Sequence, residues 1–123
     1  VIFHLLPAAT WFAWPTDQPY LPDAYAADGF VHCTGDEATL VRVANAFYRP
    51  IDGEVVALVI DETRLAAEVK WERPPGTDPL ADTPAFPHVY GPIELDAVVA
   101  VRPFEREPDG SYTALRAEPG ASS

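Results

Sequence analysis

Fourteen prolines punctuate the 123-residue chain, and their positions set where its helices and strands have to stop. Proline lacks an amide proton and its ring clashes with the preceding helical turn, so it ends helices and is excluded from most central strand positions. Pro7 closes the apolar run Val1 to Leu6, whose β-branched and aromatic start predicts a strand that carries His4. Pro15 stops any short helix opening at Thr10 to Ala13, and the Trp-, Tyr- and Pro-rich stretch from Ala8 to Asp28 reads as irregular structure ending at Gly29. Pro50 ends a longer helix, and the cluster Pro74, Pro75, Pro79, Pro84 and Pro87 reads as a long loop.

Between these stops the hydrophobic periods are legible. Phe30 to Thr34 reads as a strand, with Phe30, His32 and Thr34 on one face and Val31 and Cys33 on the other. Thr34-Gly35-Asp36-Glu37 has the spacing of a capping box with Thr34 at the cap, and Leu40, Val43, Ala44 and Phe47 follow at helical spacing. Val55 to Ile60 is a continuous apolar run of the kind a central strand shows, after an Asp52-Gly53 turn. Asp61 to Glu68 is expected to form one or two helical turns capped by Asp61. Pro87 to Tyr90 and Ala97 to Arg102 read as strands, and Phe104 to Glu107 should pair with Ser111 to Leu115 across Asp109-Gly110. Strands and helices do not alternate as βαβ units, and no glycine-rich phosphate loop follows a strand. The expected fold class is α+β: a small split antiparallel or mixed sheet with one main helix, in one domain over 1–115 with a frayed tail over 116–123.

Charge narrows the function. Asp and Glu outnumber Lys and Arg 19 to 8, and the first basic residue is Arg42, so the opening third favours neutral or cationic partners. Nucleic-acid phosphates would be repelled, and no apolar run approaches the roughly 20 residues of a membrane span. Cys33, the single cysteine, excludes an internal disulfide and suits the cytoplasm. A small-molecule substrate is the expected partner; the sequence does not set the oligomeric state.

The three histidines, His4, His32 and His88, each fall at or inside a predicted strand among large apolar neighbours. Burying an imidazole without a partner costs about 1–3 kcal/mol, so each is either a hydrogen-bonded core residue or faces a cleft. Their separations of 28 and 56 positions do not match the short spacings of metal pairs, so no metal site is expected. Serine is confined to the C-terminal end, and Cys33 is predicted to point away from His32, which leaves no evident Ser or Cys nucleophile. Glu72, after Lys70-Trp71 at the entrance of the proline-rich loop, is the carboxylate singled out; a solvated charge is the alternative. Trp11, Trp14, Tyr20 and Tyr25 could stack on a flat ligand ring or cap the core.

Together, Ile2-Phe3-His4, Gly29-Phe30-Val31-His32-Cys33-Thr34, Val43-Ala44-Asn45, Leu58-Val59-Ile60-Asp61, Trp71-Glu72 and Phe86-Pro87-His88-Val89-Tyr90-Gly91-Pro92 resemble the bacterial domain of unknown function 952 family over roughly 1–104. That family in turn is similar to the ADP-ribosyltransferase fold, most closely to the catalytic lobe of RNA 2′-phosphotransferases, whose two histidine strands, helix and Asp-ended strand follow in this order. The resemblance implies a cleft for NAD or another nucleotide-like small molecule, with NAD as substrate and no certain cofactor. His4, Thr34 and Phe30 would bind substrate, and His32, His88, Tyr90 and Glu72 would form the catalytic set. His4 is followed by Leu5-Leu6 where the phosphotransferases have Gly-Thr, and their basic RNA-binding residues have no counterparts here, which argues against RNA repair. Two alternatives to an NAD enzyme are carried: an NAD-independent histidine acid/base enzyme acting on a small metabolite, and a non-catalytic small-ligand-binding module.

Overall fold

The apolar run Val55–Ile60 forms strand β3, and it organises the rest of the molecule. The computed structural model describes residues 1–74, 76, 78, 80 and 82–116; Pro75 and Pro79 of the expected loop, and the expected frayed tail beyond Arg116, lie outside the described residues. β3 pairs antiparallel with β1 (Ile2–Pro7) on one side, from Ile2 opposite Ile60 to Pro7 opposite Val55, and with β6 (Val98–Arg106) on the other. β7 (Tyr112–Leu115) completes the sheet in the order β1-β3-β6-β7.

Alternation along β3 divides the core in two. Val56, Leu58 and Ile60 pack with Ile2 and Leu6 toward Val31, Val89, Tyr20 and Ile93, whereas Val55 and Ala57 pack with Phe3 and Leu5 toward Leu40, Ala44, Phe104 and Tyr112. Both faces are therefore covered, as the unbroken apolar run requires. The second face is covered by helix α3 (Glu37–Phe47), and the first by a smaller antiparallel sheet, β2 (Val31–His32), β5 (Phe86–Tyr90) and β4 (Glu68–Glu72), in the order β2-β5-β4. The α+β class and the antiparallel split sheet are as expected from the sequence.

Several elements differ from expectation. The cap of α3 is Asp36, not Thr34: the Asp36 carboxylate accepts from the Thr39 amide at 2.8 Å and from the Thr39 hydroxyl. Thr34 is occupied elsewhere, because its main chain exchanges hydrogen bonds with Phe3. Replacing Asp36 with Ala is expected to lower stability by about 1 kcal/mol in urea unfolding, while Thr34→Ala leaves the cap intact. The stretch after Asp61 is a single 3-10 turn, Glu62–Arg64, and Glu68 opens β4 where helical turns were expected to continue. Asp61 does cap that turn, accepting from the Thr63 amide at 3.1 Å. The two strands expected at Ala97 to Arg102 and Phe104 to Glu107 are one strand, β6, running through Pro103. The region expected to be irregular holds two short helices, α1 (Ala8–Phe12) and α2 (Tyr25–Asp28), the second ended by Gly29 at φ 80°. The Asp109-Gly110 turn forms as expected, with Gly110 at φ 90°, a conformation glycine adopts without steric cost.

Asn45 joins α3 to the last strand. Its side-chain amide donates to the Tyr112 carbonyl at 2.9 Å while its carbonyl accepts from the Tyr112 amide at 2.8 Å. Two main-chain groups of β7 are thus satisfied by one side chain.

Candidate functional site

The edge strands of the two sheets meet at one rung. The Phe3 amide donates to the Thr34 carbonyl at 2.8 Å and the Thr34 amide returns a bond to Phe3 at 2.7 Å. This seam brings His4 against β2, where its Nδ1–H donates to the His32 carbonyl at 2.6 Å. A carbonyl can only accept, so the bond fixes the tautomer and leaves Nε2 to accept from the Tyr20 hydroxyl at 3.3 Å. Tyr20 is held in place by its own main chain, which exchanges two hydrogen bonds with Ile93. Burial lowers the His4 pKa to about 4, against which the bond to His32 works only in part, and burial raises the Tyr20 phenol. Near neutral pH both are uncharged.

The small sheet has one apolar and one polar face. Val31 and Val89 point into the core, and His32, His88, Lys70, Glu72 and Tyr90 project from the opposite face, as the register places His32 opposite His88 and Lys70 opposite His88 on its other side. The His32 and His88 rings stand 5.5 Å apart, edge to face, and Phe30 stacks on His88 at 4.0 Å and 20°. Each of the two imidazoles has its own carboxylate. His88 Nδ1–H donates to Glu72 Oε1 at 2.8 Å, and His32 Nε2–H donates to Asp28 Oδ2 at 3.0 Å. The Tyr90 hydroxyl also donates to Glu72 Oε1. The two donors, Tyr90 first and His88 second, hold the Glu72 carboxyl below the usual carboxylate range, and the same bond raises the Tyr90 phenol. An ionised Glu72 thus fixes the tautomer of His88 and turns its Nε2 into the free acceptor.

Beside this face opens a cavity of about 850 Å³. It is bordered by β1, by the small sheet, by the last turns of α3 through Val43 and Phe47, and by the segment around Trp14 and Tyr20. Described residues of the proline-rich stretch, Pro74, Asp78 and Leu80, form another side. The volume is within the range of small-molecule sites. Cys33 lines it too, but burial raises its thiol pKa, so it carries little nucleophilic thiolate.

Of the residues singled out in the sequence, His4, His32, His88, Phe30, Thr34 and Glu72 all line this one cavity, and Tyr90 reaches it through Glu72. They are not equivalent. Both ring nitrogens of His4 are engaged with the protein, whereas His88 Nε2 and His32 Nδ1 have no protein partner among the described residues. Among the described residues no group of three or more His, Cys, Asp or Glu side chains is arranged to hold a metal ion. The sequence reading missed two members, Asp28 and the Tyr20 hydroxyl. Asp28 stands four positions before His32, a spacing visible in the sequence but interrupted by Gly29, which removes the helical reason to pair them. In the sequence Tyr20 stands out only as part of an aromatic-rich stretch.

Two antiparallel sheets joined at an edge, the helix α3 packed on the larger one, and paired imidazoles beside a ligand-sized hollow define an α+β protein with a small-molecule-sized site. The chain belongs to the family described as "Protein of unknown function (DUF952)", whose match covers residues 5–101. No curated protein matches it. Its fold is shared by protein CC0527 from Caulobacter crescentus, whose X-ray crystal structure superimposes with a TM-score of 0.73 at 24% identity over 91% of this chain and 92% of that one. A methionine double mutant of CC0527 gives a TM-score of 0.72 at 23% identity with the same coverage. Among the described residues no helix is long and apolar enough to cross a membrane.

Proposed function

We propose that this chain is an enzyme that transfers a proton on a small, ring-bearing, nucleotide-like molecule held in the cavity. His88 Nε2 is the acid or base, Glu72 fixes its tautomer, Tyr90 holds Glu72, and His32 oriented by Asp28 is a second proton-transfer group on the facing strand. Phe30 and Thr34 form the wall, and His4 supports His32 from behind through its carbonyl. The observation that carries this reading is the convergence of the His88 Nδ1–H and the Tyr90 hydroxyl on one oxygen of Glu72 at the cavity edge. A carboxylate–imidazole pair with a free second nitrogen is the arrangement that general acid/base chemistry needs. A cytoplasmic setting agrees with the buried free thiol of Cys33, and the acidic composition agrees with a partner other than nucleic acid.

Cleavage of the nicotinamide glycosidic bond of NAD, in a cleft of the ADP-ribosyltransferase kind, is a second reading with its own support. Both donors fall on Glu72 Oε1, so Oε2 has no hydrogen-bond donor among the described residues and can stabilise an oxocarbenium-like centre. The chain order of two histidine strands, helix and a strand followed directly by Asp61 supports the same likeness.

Incubation with NAD, following nicotinamide release by chromatography and the melting temperature in parallel, separates the readings. Release that disappears in Glu72→Gln favours glycosidic cleavage. A saturable melting shift without release favours acid/base chemistry or plain binding, and neither release nor shift removes NAD as a ligand.

A further inference from the structure

The cavity wall has a marked chemical bias. Trp14, Phe30, Phe47 and Phe86 present aromatic rings to it. Among the described residues, the charged side chains on its lining are the carboxylates of Asp23, Glu72 and Asp78 and the single cation Arg73, and the buried His4 adds no positive charge near neutral pH. Glu72 is held in its charged form by its two donors. The N-terminus of α3, the one long helix, offers no anion site here, because Asp36 caps it. Aromatic faces and carboxylates attract the same kind of ligand, since the negative ring face and the carboxylate both favour a positive charge. A phosphate group in the hollow would meet three carboxylates against one guanidinium.

From these observations we infer that the ligand of this cavity is a ring-bearing organic cation without phosphate, a charged nucleoside or pyridinium-type molecule, selected against its neutral and phosphorylated counterparts. The inference rests on the acid/base reading of the same site and adds a charge to its substrate class. The ring cation lies among the aromatic side chains of the hollow that Glu72, Asp23 and His88 also line, with His88 turned by its Nδ1–H bond to Glu72.

Two matched pairs test it by calorimetric titration: nicotinamide against its N1-methylated cation, and nicotinamide riboside against nicotinamide mononucleotide. The first pair differs in ring charge, the second in one phosphate. The methylated cation should bind about tenfold more tightly than nicotinamide, and the riboside about tenfold more tightly than the mononucleotide. Both preferences should shrink as salt is raised. Asp23→Asn, at an exposed position where folding is not at stake, should weaken binding of the two cations about twofold and leave nicotinamide unaffected. Equal or reversed affinities in either pair, or no saturable binding by any of the four compounds up to millimolar concentration, would overturn the inference. The imidazole carbon-bound proton signals of His32 and His88, recorded in the same titrations, report on the acid/base reading separately. If a ligand binds without the expected charge preference but moves both signals, only the charge is wrong; if bound ligand moves neither, the reading of His88 as the working group fails as well.

Discussion

Between pH 7.5 and 5.5 the protein is expected to lose about 1 kcal/mol of stability through His4 alone, and about 3 kcal/mol once the pH has fallen to about 4. The folded-state pKa of His4 is about 4, against about 6.5 in an unfolded chain. The unfolded state therefore binds more protons throughout that window, so stability is complete above the unfolded value and declines as the pH falls toward the folded one. The cause is structural: the ring is buried, its Nδ1–H is committed to the His32 carbonyl, and Nε2 faces the Tyr20 hydroxyl. Protonating Nε2 would put a buried charge against another donor. Urea unfolding of the wild type and of His4→Gln at pH 7.5 and 5.5 measures this. The variant should be less stable at pH 7.5 and should lose the His4 share of the difference between the two pH values. An unchanged difference would mean that His4 titrates normally and that the buried imidazole is not what the seam protects.

The larger functional effect is expected at the Glu72–His88 pair. On whichever ring-bearing substrate the melting or release assay identifies, His88→Ala should lower kcat by about 10²–10⁴-fold, the range for removing a general acid or base. Glu72→Gln keeps the shape but replaces the carboxylate, so an amide NH₂ or carbonyl meets Nδ1 and the tautomer is no longer enforced. It should lower kcat with a shifted pH profile and little change in KM, whereas Tyr90→Phe, which removes one of the two donors to Glu72, should have a smaller effect in the same direction. The sign of the pH effect follows from Glu72: its carboxyl is held below the usual range, so the pair stays assembled as the pH falls past the point where an ordinary glutamate protonates, and Tyr90→Phe should move the acid limb upward. Wild-type turnover in His88→Ala would remove His88 from the chemistry and overturn the acid/base reading of the pair.

How far the sequence reached depended on whether the deciding contact was local. The apolar run Val55–Ile60 specified a strand buried on both faces because nothing in it could face water, and the structure places it between two strands and two packing layers. Alternation was enough to turn Val31 into the core and His32 to the other side, since period two is a property of the backbone itself, but the expected strand Phe30 to Thr34 is only Val31–His32, and Cys33 lines the same hollow as His32. β4 was missed for the opposite reason. Glu68-Val69-Lys70-Trp71-Glu72 does alternate, but its polar half faces outward and the Asp61 cap in front of it reads equally as the start of a helix; only pairing with β5 makes it a strand. That error mattered, because β4 is what delivers Glu72 to His88, sixteen positions away in sequence. The cap of α3 shows a finer limit. Thr34 and Asp36 are both good N-cap residues, and the choice between them is made by Phe3, which claims the main chain of Thr34 from a distant strand.

The fork by which Asn45 grips Tyr112 gives the last hairpin an influence beyond its own size. The same helix supplies Val43 and Phe47 to the rim of the hollow. A product cut before Ser111 would release that clasp and let the rim drift, although every imidazole and carboxylate of the site would still be in the chain. Affinity for a small ligand should therefore fade in such a shortened protein well before its chemistry does, which makes the far end of the chain a remote buttress for recognition.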